Sequence, residues 1–294
     1  MRASQRARAM AARKGLRKVR FKRKQPLGTV YYTNPNAKPI TPGAYFGKEN
    51  IESLAVRGFV KEPWNMGELH GGNGAIAYGK VKFKGAPAKP VIIKGYFRPS
   101  AELEAHLVRI VERLKMSKAK HPKMCVFPLT IGGKRNLYLL MESYTKNERG
   151  MVLSKLEPYG RIVNKLRLHN PQDVETLKKV LNETAELAKV GLIVPQSLAV
   201  SRDFIALGLP EDALRKIAFK QIDTFNNMTL KNGQTQIIAQ DIDELQIADN
   251  PKQAWKQSAQ NISEVVLSNF YNQSSHGKET VKKLVREIAS KHRL

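Results

Sequence analysis

The sequence predicts an α+β protein in two parts, an antiparallel sheet with one helix over residues 66–144 and a mainly helical part over residues 145–294. Three observations carry this expectation. Residues 66–97 read as strands interrupted by glycines at 71, 72, 74 and 79. Residues 100–115 switch to a 3.6-residue apolar period. Beyond residue 144 that period returns in long segments opened by Asn-Pro pairs.

The chain begins with a basic tail. Residues 1–24 hold 11 of the 51 lysines and arginines, and no acid precedes Glu49. Such a segment has too little apolar surface to fold alone, so residues 1–25 are expected to be a disordered tail. The net charge of +26 points to contact with nucleic acid or an acidic partner, with the tail foremost; a targeting segment and a merely solvated tail are the rival readings. Residues 26–65 read as a linker with local structure: a short Val30-Tyr31-Tyr32 strand, Asn-Pro and Thr-Pro-Gly turns, and a helical turn over 49–56. Tyr45 and Trp64 are expected to pack against the sheet.

Composition excludes several classes. At 294 residues the chain can bury a sizeable core. No apolar run is long enough to span a bilayer. The lone cysteine, Cys125, rules out a disulfide framework and fits a reducing, cytoplasmic compartment. The six histidines show no zinc-type spacing, and His121 with Cys125 reads as loop and core.

Within residues 66–144, Pro90-Val-Ile-Ile-Lys94 ends a β-branched run on a lysine. A helix follows over residues 100–115, capped by Ser100, with Leu103, Leu107, Ile110, Val111 and Leu114 on its inner face. Strands are expected near 125–129 and over 136–142, where Met141, Glu142 and Tyr144 close the part. Glycines between strands let backbone N–H groups approach phosphate oxygens with no Cβ in the way, and a strand lysine can pair with the α- and β-phosphates. Gly74 to Lys80 also fits the start of a P-loop, but Val81 lacks the required hydroxyl and the segment continues as a strand, so that reading fails.

The order strand, glycine turn, strand, strand with lysine, helix and two strands resembles the small lobe of protein kinases, ending at their hinge. The resemblance covers residues 66–294 and implies a two-lobed kinase-like fold with ATP and Mg²⁺ as cofactors. It implies nucleotide contacts from Gly72, Gly74, Gly79, Lys94, Met141, Glu142 and Tyr144, with Glu104 as the helix carboxylate holding Lys94.

The large lobe departs from the family. No His-Arg-Asp occurs, no Ala-Pro-Glu follows, and there is almost no room for an activation segment. A helix opened by Asn170-Pro171, with Val174, Leu177, Leu181, Ala185 and Ala188 on one face, ends at Gly191. Two registers then compete. In one, Pro195, Gln196 and Ser197 replace the catalytic triplet and Asp223 binds metal, which implies a pseudokinase. In the other, which we favour, Asp223 is the catalytic carboxylate and Asn227, Asp241 and Asp243 hold metal, with Asn232-Gly233 turning a hairpin between them. Asn227 follows Asp223 by four residues where the family has five. Two final helices carry Trp255, Ala259, Ile262, Val266 and Phe270, then Val281, Leu284, Val285 and Ile288.

The resemblance therefore implies an atypical ATP-dependent kinase, of the sort found among effectors, phage proteins and small-molecule kinases, acting on Ser or Thr of a protein. Delivery into a host cell belongs to the same implication. The alternative is an inactive kinase-like module that binds nucleic acid or an acidic partner.

Overall fold

The computed structural model describes residues 29–41, 45–61, 74–96, 100–131, 134–142, 152–153, 162–199, 210–229 and 235–294. In chain order these form β1 (Thr29–Thr33), β2 (Ile51–Lys61), β3 (Gly74–Phe83), β4 (Lys89–Tyr96), α1 (Ala101–Met116), β5 (Met124–Ile131), β6 (Lys134–Glu142) and β7 (Val152–Leu153). They continue as α2 (Ile162–Lys165), α3 (Pro171–Lys189), β8 (Leu192–Ile193), β9 (Ser197–Ala199), α4 (Glu211–Lys216), β10 (Phe219–Gln221), β11 (Phe225–Thr229) and β12 (Thr235–Ala239). The chain closes with β13 (Gln246–Ile247), α5 (Pro251–Ser268) and α6 (Ser275–His292). The basic tail lies outside the described residues. Among the described residues no helix is long and apolar enough to cross a membrane.

The α+β class is as expected, with one six-stranded sheet ordered β1-β2-β3-β4-β6-β5. Every neighbouring pair in it is antiparallel. The sheet is larger than the sequence reading drew it, because β1 and β2, from the stretch read as linker, pair onto its edge. The helical turn expected over 49–56 is only a single 3₁₀ turn at Lys48–Asn50 that leads into β2.

Both faces of the inner strands are covered. On β6, Leu137, Leu139 and Met141 join the cluster shared with α1 and the helices, while Tyr138 and Leu140 join a second cluster with Phe46, Ile51 and Phe127. This is why the sequence there is apolar without alternation. On β4 the same division leaves Val91 and Ile93 on the second face and Ile92 and Tyr96 on the face toward the helices. Strand alternation puts Lys94 with the latter.

Helix α1 forms where the period demands it. Ser100 Oγ accepts the N–H of Leu103 at 3.1 Å, and Leu107, Ile110, Val111 and Leu114 are buried. Its first turn carries Glu102 and Glu104 and its last Arg113 and Lys115, both favourable to the helix dipole. Asn170 caps α3 through Gln172 N, and Asn250 caps α5 through Gln253 N, each followed by proline as the sequence suggests. Phe270 does not extend the apolar face of α5: that helix ends at Ser268, and Phe270 is 81% exposed in a 3₁₀ turn. Cys125 is buried, as read from its strand.

Gly191 ends α3 in the left-handed region at φ +72. A Cβ there would run into Arg113 Nη1 and sit 3.1 Å from Ala248 O. Arg113, from α1, donates through Nη1 to the carbonyls of Val190 (3.1 Å), Gly191 (2.8 Å) and Ala248 (3.1 Å). One guanidinium thus satisfies the two carbonyls just past the end of α3 and pins the segment beyond β13 to α1.

Candidate active site

The site is built where β4 meets the turn that follows the β11–β12 hairpin. These two strands are antiparallel, Phe225 facing Ala239 and Thr229 facing Thr235, as expected for a hairpin, while the Asn232-Gly233 turn lies outside the described residues. As the chain leaves β12, Gln240 N and Asp241 N donate to Thr224 O at 2.8 and 3.4 Å. That pinning brings the Asp241–Glu244 run beside Asp223. On the other side, β13 pairs with β8 and His106 Nε2 of α1 donates to Leu245 O at 3.1 Å.

Lys94 reaches into this turn. Its Nζ donates to Asp243 Oδ1 at 2.7 Å, lies 2.6 Å from Asp243 Oδ2, and donates to Asp241 Oδ1 at 3.2 Å. The lysine side chain is 13% exposed, Asp243 6% and Asp241 40%. The lysine's carboxylate partners are therefore these two aspartates, and the expected pair with Glu104 is not formed. Glu104 shares a helix with the buried Leu107 and Val111, but helical position alone does not set its distance from β4; the aspartates approach the ammonium directly from the facing turn.

The electrostatics follow from crowding. Burial alone would lower the Lys94 pKa, but Asp241 and Asp243 more than reverse this and hold it well above its ordinary value. For Asp243 burial opposes ionisation, yet contact with Lys94 and hydrogen bonds hold its carboxyl below the usual range. Asp241 goes the other way: desolvation in the cleft is the largest effect, Lys94 opposes it, and Asp243 adds repulsion, so its carboxyl is pushed up. The two partners of one lysine thus shift in opposite directions because Asp243 holds the shorter contact. Glu244 joins them; burial first, then the charges of Asp223, Asp241 and Asp243, push it up to about 9.

Asp223 stands at the rim of this group. Its Oδ2 accepts from Ser197 Oγ at 2.9 Å and from Gln221 Nε2 at 3.1 Å. Its Oδ1 is buried without a partner among the described residues. The two registers considered for this region thus converge in space, since Ser197 of the first register orients Asp223 of the second. Gln196 turns elsewhere, donating to Asn261 O and Glu264 Oε2. Asn227 lies inside β11 opposite Ile237, so the loop setting expected for it is absent, and its side chain lies outside the description. The neighbouring amide Asn226 donates instead to Gln240 Oε1 at 2.9 Å, next to Asp241.

The remaining expected contacts are divided. Met141 and Glu142 are buried at the end of β6, opposite Ile92 and Val91, with Met141 on the face of the sheet that carries Lys94. Gly79 is not in a turn; it sits within β3 opposite Val91, and Gly74 opens the same strand opposite Tyr96. Gly72 and Tyr144 lie outside the described residues. Among the described residues no three His, Cys, Asp or Glu side chains converge as a preformed metal cage. The donors present, Asp241 and Asp243, are nevertheless the hard oxygen type that Mg²⁺ takes, and Mg²⁺ bound with a nucleotide needs only one or two carboxylates from protein. Sequence reasoning missed Glu244 and Gln221, and it named Ser197 only as a replacement in the catalytic triplet, not as the residue that holds Asp223. Of these only Glu244 left a signal, the acidic run Asp241-Ile-Asp-Glu244.

No protein-family model matches this chain, and no curated protein matches it.

Proposed function

We propose that the chain is an atypical ATP-dependent phosphotransferase that moves the γ-phosphoryl group to a hydroxyl, of Ser or Thr in a protein, with a kinase-like division of labour between sheet and helical part. The observation that carries the reading is the contact of Lys94 with Asp241 and Asp243, 147 and 149 positions later in the chain. A strand lysine set against the acidic turn after a hairpin is the arrangement phosphate chemistry needs, a cation for the α- and β-phosphates beside oxygen donors for their counter-ion.

In this reading Lys94 exchanges an aspartate for phosphate oxygen when nucleotide enters, and Asp241 and Asp243 would hold Mg²⁺. The ion, when bound, neutralises charge on the phosphates. Met141 lies on the face of the sheet that carries Lys94, whereas Glu142, the next residue, points to the other face. Asp223, oriented by Ser197 and Gln221 through one oxygen, keeps Oδ1 for the acceptor hydroxyl, whose proton it draws as that oxygen bonds to the γ-phosphorus and the bond from phosphorus to the β-phosphate oxygen breaks, releasing ADP. A nucleotide-binding module without transfer is the second reading, favoured by the missing His-Arg-Asp and by the full engagement of Lys94 with carboxylates.

Thermal denaturation with and without millimolar ATP and MgCl₂ tests binding, and release of the γ-phosphoryl to a Ser/Thr-containing acceptor protein tests transfer. ATP with Mg²⁺ is expected to raise the Tm, Lys94→Ala to remove most of that rise, and Asp241→Ala to remove its magnesium dependence. Asp223→Asn is expected to keep the rise and lose transfer. Absence of any rise in the unsubstituted chain overturns both readings, and a rise without transfer leaves the second.

A further inference from the structure

Helices α5 and α6 pack side by side and leave an open groove of about 440 Å³ between them. Its apolar floor comes from Trp255 and Leu267 of α5 and Val281 and Val285 of α6, with Trp255 and Val281 almost fully buried beneath the opening. Positions 281 and 285 lie one turn apart, as do Trp255 and Ala259, so the floor is continuous along both helices. From Trp255 to Leu267 it spans twelve residues, about 18 Å at 1.5 Å per residue.

The rim is of one sign. Lys256 on α5 and Lys278, Lys282 and Arg286 on α6 line the groove, and no acidic residue lines it. All four are exposed, and among the described residues none forms an ion pair with a carboxylate. Elsewhere the same two helices do pair their charges: Glu287 of α6 meets Lys178 at 2.6 Å, and Glu264 of α5 meets Lys220 at 2.9 Å. These four cations flank the apolar strip, while Lys252 of α5 and Lys283 of α6, also without an ion pair among the described residues, do not line it. At the end marked by Leu267 and Lys278 the chain between the helices carries Phe270, 81% exposed.

We propose that this groove docks a short amphipathic helical segment of a protein partner, with apolar side chains on one face and Asp or Glu flanking them. An apolar strip of three to four turns fits a helix laid in a groove, and the cation rim supplies orientation and a salt-dependent encounter rate. The chain's own basic tail is excluded as occupant by charge, since residues 1–24 contain no acid. The inference does not rest on the phosphotransferase reading.

The test uses the full chain and a fluorescent 14-residue helical peptide with Leu at i, i+3, i+4, i+7 and i+11 and Glu beside them. Controls are the same peptide with Leu→Ser, the same with Glu→Lys, a 20-nucleotide single-stranded DNA, and phosphatidylserine vesicles. Anisotropy is expected to show saturable binding of the first peptide only, weakened at least tenfold by Lys282→Glu/Arg286→Glu and, from the other helix, by Lys256→Glu. Val285→Asp should weaken it while the Tm measured alongside shows the variant folded. Raising NaCl from 50 to 500 mM should weaken binding several-fold. Absence of peptide binding overturns the proposal, as does binding indifferent to both charge reversals. DNA or vesicle binding lost on the same reversals, with no peptide binding, overturns it in favour of that polyanion.

Discussion

Lys94 is 13% exposed with two aspartates against its ammonium, whereas Lys256, Lys278, Lys282 and Arg286 stand exposed around the α5–α6 groove with no ion pair among the described residues. The two regions put positive charge to different uses. In the cleft the cation is desolvated, so it can be held only by compensating anions, and its contacts are short and directional. At the groove the cations remain hydrated and need no partner for the fold to stand, which leaves them free to meet one. Charge that the fold requires and charge that it merely carries should therefore respond in opposite ways to substitution.

The largest expected effect is at the cleft. Lys94→Met removes the one cation that contacts Asp241 and Asp243 among the described residues, leaving Asp243 buried without that partner. Breaking a buried pair from one side costs on the order of 3–5 kcal/mol, and this variant should fall by about 3 kcal/mol at pH 7 in urea denaturation. Without the lysine, both carboxyls bind protons more readily in the folded state, so the deficit should shrink as pH falls from 7 to 5. A deficit independent of pH would mean that packing of the lysine stem, and not its charge, matters at this site.

The link between α1 and the segment after β13 comes next. Gly191→Ala places a Cβ at φ +72, against Arg113 and Ala248 O. Strain of this kind costs on the order of 1–3 kcal/mol, and displacing Arg113 removes three accepted hydrogen bonds. Melting should show a loss of about 2–3 kcal/mol. Arg113→Ala/Gly191→Ala together should lose less than the sum of the single changes, because they act through one contact.

A smaller effect separates the acids. Glu244 is pushed up to about 9 from an ordinary 4.5, so the folded chain holds a proton that the unfolded chain has released over that window. Stability from this group is present at low pH and is lost as pH rises toward 9. Glu244→Gln cannot ionise and should gain about 1–2 kcal/mol on the native chain at pH 9 while matching it near pH 5. The gain stays below what the shift alone implies because the carboxylate is only partly enclosed. Parallel pH profiles for the two proteins would remove Glu244 from the cluster.

What the sequence disclosed follows the same physical lines. Helices α1, α3 and α5 were legible because each has a long apolar period and a side-chain cap, at Ser100, Asn170 and Asn250. Strands β4 and β6 were legible from β-branched and apolar runs. Strand β2 was not, because register shifts between Ile51 and Ser53 and between Arg57 and Val60 break the two-residue alternation, and buried Ile51 and Leu54 then mimic a helical spacing. Phe270 continues the apolar spacing of Val266 but falls past the helix end, where Asn269 Oδ1 accepts from Tyr271 N and turns the chain. In the site, Lys94 and the acidic run could be named from residue type, while their pairing could not: it depends on where Thr224 anchors Asp241, a contact between backbones that leaves no mark on composition. Gln221 and the contact of Ser197 with Asp223 escaped for a similar reason, since β9 and β10 are three residues each and too short to show a period.

The smallest expected effect is at the groove, and it completes the contrast with Lys94. Lys282→Glu/Arg286→Glu reverses two exposed charges on α6 without touching its buried Val281, Leu284 or Ile288. Exposed charges contribute little to stability, and on a chain of net charge +26 added acids relieve repulsion, so the change should stay within about 0.5 kcal/mol. It should move slightly toward greater stability at 20 mM salt and vanish at 500 mM as screening removes the repulsion. A loss above about 1 kcal/mol would show that these cations support the packing of α5 against α6. They would then belong with Lys94 as charge the fold requires, and the division drawn between cleft and groove would not hold.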